Sequence, residues 1–224
     1  MSDHYFRSAY YRNTLLPKED VIEDPGRKGE CLVTCAVESY LRTKRMTGYI
    51  INNLLLELPG GRFSETDLIL LSRFGLHVFE IKTRTGLITG GLNSKKWTQC
   101  SSSGIFEFQN PLLQNKTHIE HLAAFLSKET GIFSEDYFLD HSTNIVLIPS
   151  SARWKISIEK PPEAKYFFGT LEEYLSFEFP AILSDTEIDM IAPPLLAASS
   201  MSARAVTKKI LSLKNRNRTP RIPS

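Results

Sequence analysis

Cysteine is scarce in this 224-residue chain, which holds Cys31, Cys35 and Cys100 and no Cys-X-X-Cys pair. The odd count and the spacing exclude a disulfide framework and a zinc knuckle, so the thiols are expected to be reduced, with Cys31 and Cys35 packing as small hydrophobes on one helix. Long apolar runs are missing too. The longest, such as residues 54–56 and 195–198, fall far short of the roughly 20 residues a membrane span needs. No apolar stretch follows Arg7 and Arg12, so no signal peptide is expected and a cytoplasmic location is. There is no Gly-X-X-X-X-Gly-Lys-Ser/Thr loop for a nucleotide triphosphate, no internal repeat, and no nucleophile elbow around the serines at 101–103. What remains is ordinary globular composition, 42% hydrophobic and 23% charged, in a chain long enough to bury a core without staples.

Acidic residues are absent from the last stretch. Residues 202–224 carry seven cations and no Asp or Glu, which leaves residues 1–201 with 20 basic against 25 acidic side chains under an overall net charge of +2. Such a tail can grip phosphates through counterion release, and Lys208, Lys209, Lys214, Arg216 and Arg218 are its candidate nucleic-acid contacts. Ala203, Val206, Ile210 and Leu213 recur at helical spacing, so the same stretch could instead pack on the body or on a second copy in a homodimer.

Hydrophobic periodicity predicts a helix over 29–45, where Val33, Val37 and Leu41 form one stripe. Strands are expected at 49–58, 67–72 and 76–82, the last two as a hairpin about Arg73-Phe74-Gly75, with shorter ones at 86–90 and 104–108. Asn110-Pro111 opens a second long helix. A buried strand follows at 144–149, a short helix at 170–177, and a helix from Asp185 broken at Pro193-Pro194. Residues 1–25, without clear period, form an N-terminal extension ending in a turn at 23–26. The order implies an α/β fold with a mixed central sheet: core 26–150, a C-terminal α/β extension over 151–201, then the basic tail over 202–224.

The chemistry concentrates in the hairpin. Strand alternation puts Val78, Glu80 and Lys82 on one face and Phe79 and Ile81 on the other. A carboxylate and an ammonium buried together cost several kcal/mol of desolvation unless compensated, so their presence marks a site rather than a structural strand. Asp67, at the start of the neighbouring strand, can approach Glu80, and two close carboxylates repel unless a cation lies between them. Mg²⁺, a hard oxygen-seeking ion, fits, with Mn²⁺ as a substitute. Glu30 shares the inward stripe of the first helix. A second acid-X-Lys triplet, Glu163-Ala164-Lys165, lacks the hairpin. His118 and His121 stand three apart on a helix, without the further ligands that zinc needs.

Gly29-Glu30, Thr66-Asp67 with Gly75, Glu80-Ile81-Lys82, Gly86, Gly90 and Trp97, then Asn110-Pro111, Gln114-Asn115 and His118-Ile119 occur in series over residues 26 to about 127. This series resembles the nuclease-related domain, NERD, of the PD-(D/E)XK nuclease superfamily. The resemblance implies a restriction-endonuclease-like core, Mg²⁺-dependent phosphodiester hydrolysis of nucleic acid, with DNA preferred, and a catalytic set of Glu30, Asp67, Glu80, Lys82 and Gln114. Of these, Asp67, Glu80 and Glu30 would hold the metal. Many members carry His after the motif Asp where this chain has Leu68, a position expected to face away from the Asp67 side. The competing expectation is an inactive nucleic-acid-binding module on the same fold.

Overall fold

The structure, a computed structural model, describes residues 9–157 and 165–218, with side chains up to Ala203 apart from Ser157. The triplet residues Glu163 and Ala164 and the side chains of Lys208, Lys209, Lys214, Arg216 and Arg218 lie outside the described residues.

The aperiodic N-terminus contains two helices, α1 (Ala9–Thr14) and α2 (Lys18–Glu23), each too short to display a period. They bury Tyr10, Leu16 and Val21 against Cys31 of α3 (Pro25–Thr43), with Cys35 packed alongside. The expected turn at 23–26 is instead the start of α3. Asp24 caps it, accepting from the amides of Gly26 at 2.8 Å and Arg27 at 3.2 Å, and Pro25 occupies the first turn, where its missing N–H is no loss.

Next come β1 (Gly48–Leu58), β2 (Arg62–Ser72) and β3 (Gly75–Ile81), an antiparallel meander. β2 starts at Arg62, because residues 62–66 pair with β1 while being largely polar, so Asp67 sits mid-strand instead of opening it. The hairpin turn is as expected: Gly75 has φ +98°, and a Cβ there would lie 2.3 Å from the carbonyl oxygen of His141. β4 (Gly86–Gly91), β5 (Lys96–Ser101) and β6 (Gly104–Gln109) form a second meander, followed by α4 (Pro111–Thr130), α5 (Glu135–Asp140), β7 (Ser142–Leu147), β8 (Ala152–Ser157), β9 (Tyr166–Gly169), α6 (Leu171–Ser176) and α7 (Asp185–Arg218).

These strands make two mixed sheets rather than one, ordered β1-β2-β3-β7-β9 and β6-β5-β4-β8. β7 lies parallel to β3 and β8 parallel to β4, so a single crossover through α4 and α5 supplies a strand to each sheet. The fold is α/β, consistent with the restriction-endonuclease-like class. Strands β5, β8 and β9 and helix α5 escaped the sequence reading: β5 and β8 carry charged, exposed positions and β9 spans four residues, so none shows a clean apolar alternation.

α4 and α7 cover one face of the large sheet, around Ile51, Ile69, Val78, Ile119, Leu122 and Ile191. α3 and α6 cover the other, around Val33, Val37, Leu68, Phe79 and Tyr174. Trp97, Ile88, Leu112 and Val146 join the sheets. α7 runs unbroken through Pro193 and Pro194, where an interruption was expected. The prolines remove two helix donors, and buried Ile188, Ile191, Ala192 and Leu195 hold the helix to the core across them. No described helix is long and apolar enough to cross a membrane.

Gly90 and Trp97 form a matched pair. The indole is buried and donates to the carbonyl of Gly91 at 3.0 Å, and a Cβ on Gly90 would lie 2.2 Å from its Cδ1. Gly90→Ala is therefore expected to destabilise the protein by about 2 kcal/mol, as overpacking does, with quenching or shift of Trp fluorescence; urea unfolding of parent and variant measures it.

Candidate active site

Side-chain alternation breaks at one place in the large sheet. On β1, Ile51 and Leu54 both face the α4 side although they stand three positions apart, and Asn53 between them has φ +50°. Opposite, Ser64 of β2 reaches His118 on α4, whereas Leu68 lies in the cluster facing α3. Neither Asn53 nor Asp67 appears in the β1–β2 pairing, which passes from Asn52↔Leu68 to Leu54↔Thr66. At this break the ladder between β2 and β3 also ends, at Leu68↔Phe79. Asp67 Oδ2 takes up the next free amide, accepting from Ile81 N at 2.8 Å. The acid thus substitutes for a strand carbonyl and stands where the sheet opens.

Glu80 enters the opening from β3. It is 3% exposed, faces α4 as alternation required, and is ion-paired through Oε1 with Lys82 Nζ. The same ammonium donates to Gln114 Oε1 at 3.3 Å. Gln114 is held there by its neighbours. Asn110 caps α4 through Leu112 N at 2.9 Å and donates to Leu92 and Ser94 carbonyls at 2.8 Å. Asn115 donates to Val78 O at 2.7 Å and to Asn144 Oδ1 at 2.9 Å, locking the helix to β3 and β7.

Glu30 arrives from α3, across the sheet. Its Oε2 accepts from Tyr10 Oη at 2.9 Å and Asn53 Nδ2 at 3.2 Å. Tyr10, Asn53, Ser64 and His118 were not read as site residues. Nothing in the sequence marks Tyr10, whereas an Asn pair inside an apolar strand, Asn52-Asn53, is a visible signal of a break.

Electrostatics binds these groups together. Burial, then the charge of Asp67, pushes Glu30 up to about 7 against the pull of its two hydrogen bonds. Burial, then Glu80, pushes Asp67 up to about 7, although the Ile81 amide and Lys82 pull it down. Glu80 is raised by burial and held back by Lys82. Exposed Glu65 adds negative charge to all three. This is the surplus of carboxylate that a divalent cation relieves. The donors are hard oxygens of the kind Mg²⁺ takes, and Mg²⁺ binds through one or two carboxylates while keeping several waters. Among the described residues no three His, Cys, Asp or Glu side chains already converge into a cage, so the ion would first meet one or two of these carboxylates and the rest would have to close on it. Asp67, Glu80 and Glu30 are the residues that would hold it.

A family model for the nuclease-related domain matches residues 25–147. The chain belongs to the NERD family. Membership is consistent with the PD-(D/E)XK superfamily, and every residue of the acidic site except Tyr10 falls within the matched span. The chain is also similar to an uncharacterized protein of Bacillus anthracis, 25% identical over 203 residues that cover 89% of this chain and 88% of that one. No solved structure matches it.

The raised acids carry a pH signature. A carboxyl whose folded pKa exceeds its unfolded value of about 4 stabilises the fold at low pH, and that contribution is lost as pH rises through about 7. Buried His77 and His118, lowered to about 3 and about 4, act in the opposite sense and equally in parent and variant. Asp67→Asn is therefore expected to gain stability over the metal-free parent as pH rises from about 4 to about 7; urea denaturation in a chelator at several pH values measures the difference.

Proposed function

We propose that this NERD protein is a Mg²⁺-dependent nuclease that hydrolyses phosphodiester bonds of DNA. The observation that supports it most is the gathering of Glu30, Asp67, Glu80, Lys82 and Gln114, carried by two helices on opposite faces of the sheet and by β2 and the end of β3, about the place where the β2–β3 ladder ends. A purely structural site would have little use for that much buried charge. When bound, Mg²⁺ supplies a water acidic enough to attack at neutral pH and neutralises charge on the phosphate. Asp67 and Glu80 hold the ion, and Glu30 assists it or its water. Lys82 orients the attacking water, and its ammonium stabilises charge building on the phosphate oxygens. Gln114 positions water or phosphate. The basic C-terminal stretch gathers substrate.

Asp67→Asn and Glu80→Gln are expected to lose at least about 100-fold in cleavage rate while remaining folded. Lys82→Ala loses most activity yet keeps its Mn²⁺ affinity, since an ammonium is no ligand for a hard cation. Assays on supercoiled, linear and single-stranded DNA and on RNA, with Mg²⁺, Mn²⁺ or EDTA, and calorimetric Mn²⁺ titration decide this. Full binding without cleavage by the parent would identify an inactive nucleic-acid-binding module instead.

Ser202 is buried, its hydroxyl accepting from Leu55 N at 2.9 Å and donating to Leu55 O at 3.2 Å, so truncation should begin at Arg204. Deleting 204–224 is expected to leave cleavage at saturating substrate intact and to reduce the slope of log affinity against log salt by up to about 6. Binding isotherms at several salt concentrations test it. An unchanged slope with a lost dimer by light scattering would make the stretch an assembly element.

A further inference from the structure

His118 lies one turn beyond Gln114 on α4, and its two ring nitrogens have different surroundings. Nδ1 is 2.9 Å from Ser64 Oγ. Nε2 is buried with no hydrogen-bond partner and stands 3.8 Å from Glu80 Oε2. The other oxygen of Glu80 is bound to Lys82. Glu80 is therefore gripped at one oxygen by an ammonium and faced at the other by an imidazole edge.

The tautomer follows from these neighbours. A bare nitrogen lone pair directed at a carboxylate oxygen is repelled, while an N–H in the same place is attracted. Ser64 can donate to Nδ1, and a hydrogen bond at one ring nitrogen fixes which nitrogen carries the proton.

We propose that His118 is a positioning residue for Glu80: Ser64 holds the ring with its proton on Nε2, and that N–H sets the orientation of the Glu80 carboxylate toward the cation. It rests on the metal-dependent reading above. The role is distinct from ligation. It also accounts for a buried ring nitrogen left without a partner beside the most buried acid of the site.

The test uses the full chain and Mn²⁺. In the metal-free parent, nitrogen NMR of the imidazoles is expected to show His118 protonated at Nε2, and Ser64→Ala shifts it toward a mixture of tautomers. His118→Leu weakens Mn²⁺ binding about tenfold or more, the range seen when such supporting partners are lost. It lowers kcat with little change in KM. His118→Gln, whose amide places a donor near the Nε2 position, stays within about threefold of the parent on the same scale. Should His118→Leu not fold, Ser64→Ala provides the same readouts with loss of a hydroxyl alone. Parent-like Mn²⁺ affinity and kcat in both Ser64→Ala and His118→Leu, or a parent protonated at Nδ1, overturns the assignment while leaving the nuclease reading intact. A parent that binds no Mn²⁺ and cuts nothing overturns both.

Discussion

The hydrogen bond from the Ile81 amide to Asp67 joins the architecture to the chemistry. A strand amide that loses its ladder partner inside a protein leaves a donor that costs free energy if unpaired. Here the partner is a carboxylate, which brings a negative charge to the place where β2 and β3 part. Glu80 comes to this parting from the α4 face of the sheet and Glu30 from the α3 face. Without the break at Asn53 and Asp67, the acid of β2 would point to one face of a continuous sheet, and the acid of α3, on the opposite face, could not share its surroundings.

Carboxylates gathered in this way are expensive without a counter-ion. Three raised carboxyl groups and Glu65 face a single ammonium, Lys82, so burial and repulsion act in the same direction. The fold tolerates this because the surrounding scaffold is over-determined. Asn110 and Asn115 fix α4, Asp24 caps α3, and Trp97 fits against Gly90. Strain of this kind at a site, offset by tight packing around it, is what a binding or catalytic centre requires.

Alternation alone placed Val78, Glu80 and Lys82 on one face, because β3 is buried on both sides and its period is uninterrupted. The stripe of α3 likewise put Glu30 inward, and Asn110-Pro111 announced α4. The break itself was harder to read. Regular alternation would have set Asp67 on a face, and only the left-handed backbone of Asn53, which asparagine tolerates better than most residues, re-aims both strands. The small sheet was legible in part, since β4 and β6 are bounded by glycines while β5 and β8 are charged and half-exposed. Tyr10 was illegible, because its partner Glu30 is brought to it by tertiary packing.

The two flanks outside the family-matched span meet at β1. β1 is the edge of the large sheet, so one side of its backbone has no strand to bond. Before the break, Asn13 of α1 donates to Ile50 O at 2.6 Å and to Asn52 Oδ1 at 3.2 Å, and Asn52 in turn donates to Thr34 of α3 at 2.7 Å. After the break, Ser202 of α7 bonds both the amide and the carbonyl of Leu55. An open edge strand invites pairing with other chains, and a strand kinked in its middle is poorly held by its ladder alone. Side chains from both ends of the chain satisfy the exposed backbone on either side of Asn53 and hold the kink. The flanks are therefore part of what shapes the acidic site, and Tyr10, which lies on one of them, joins it by its bond to Glu30.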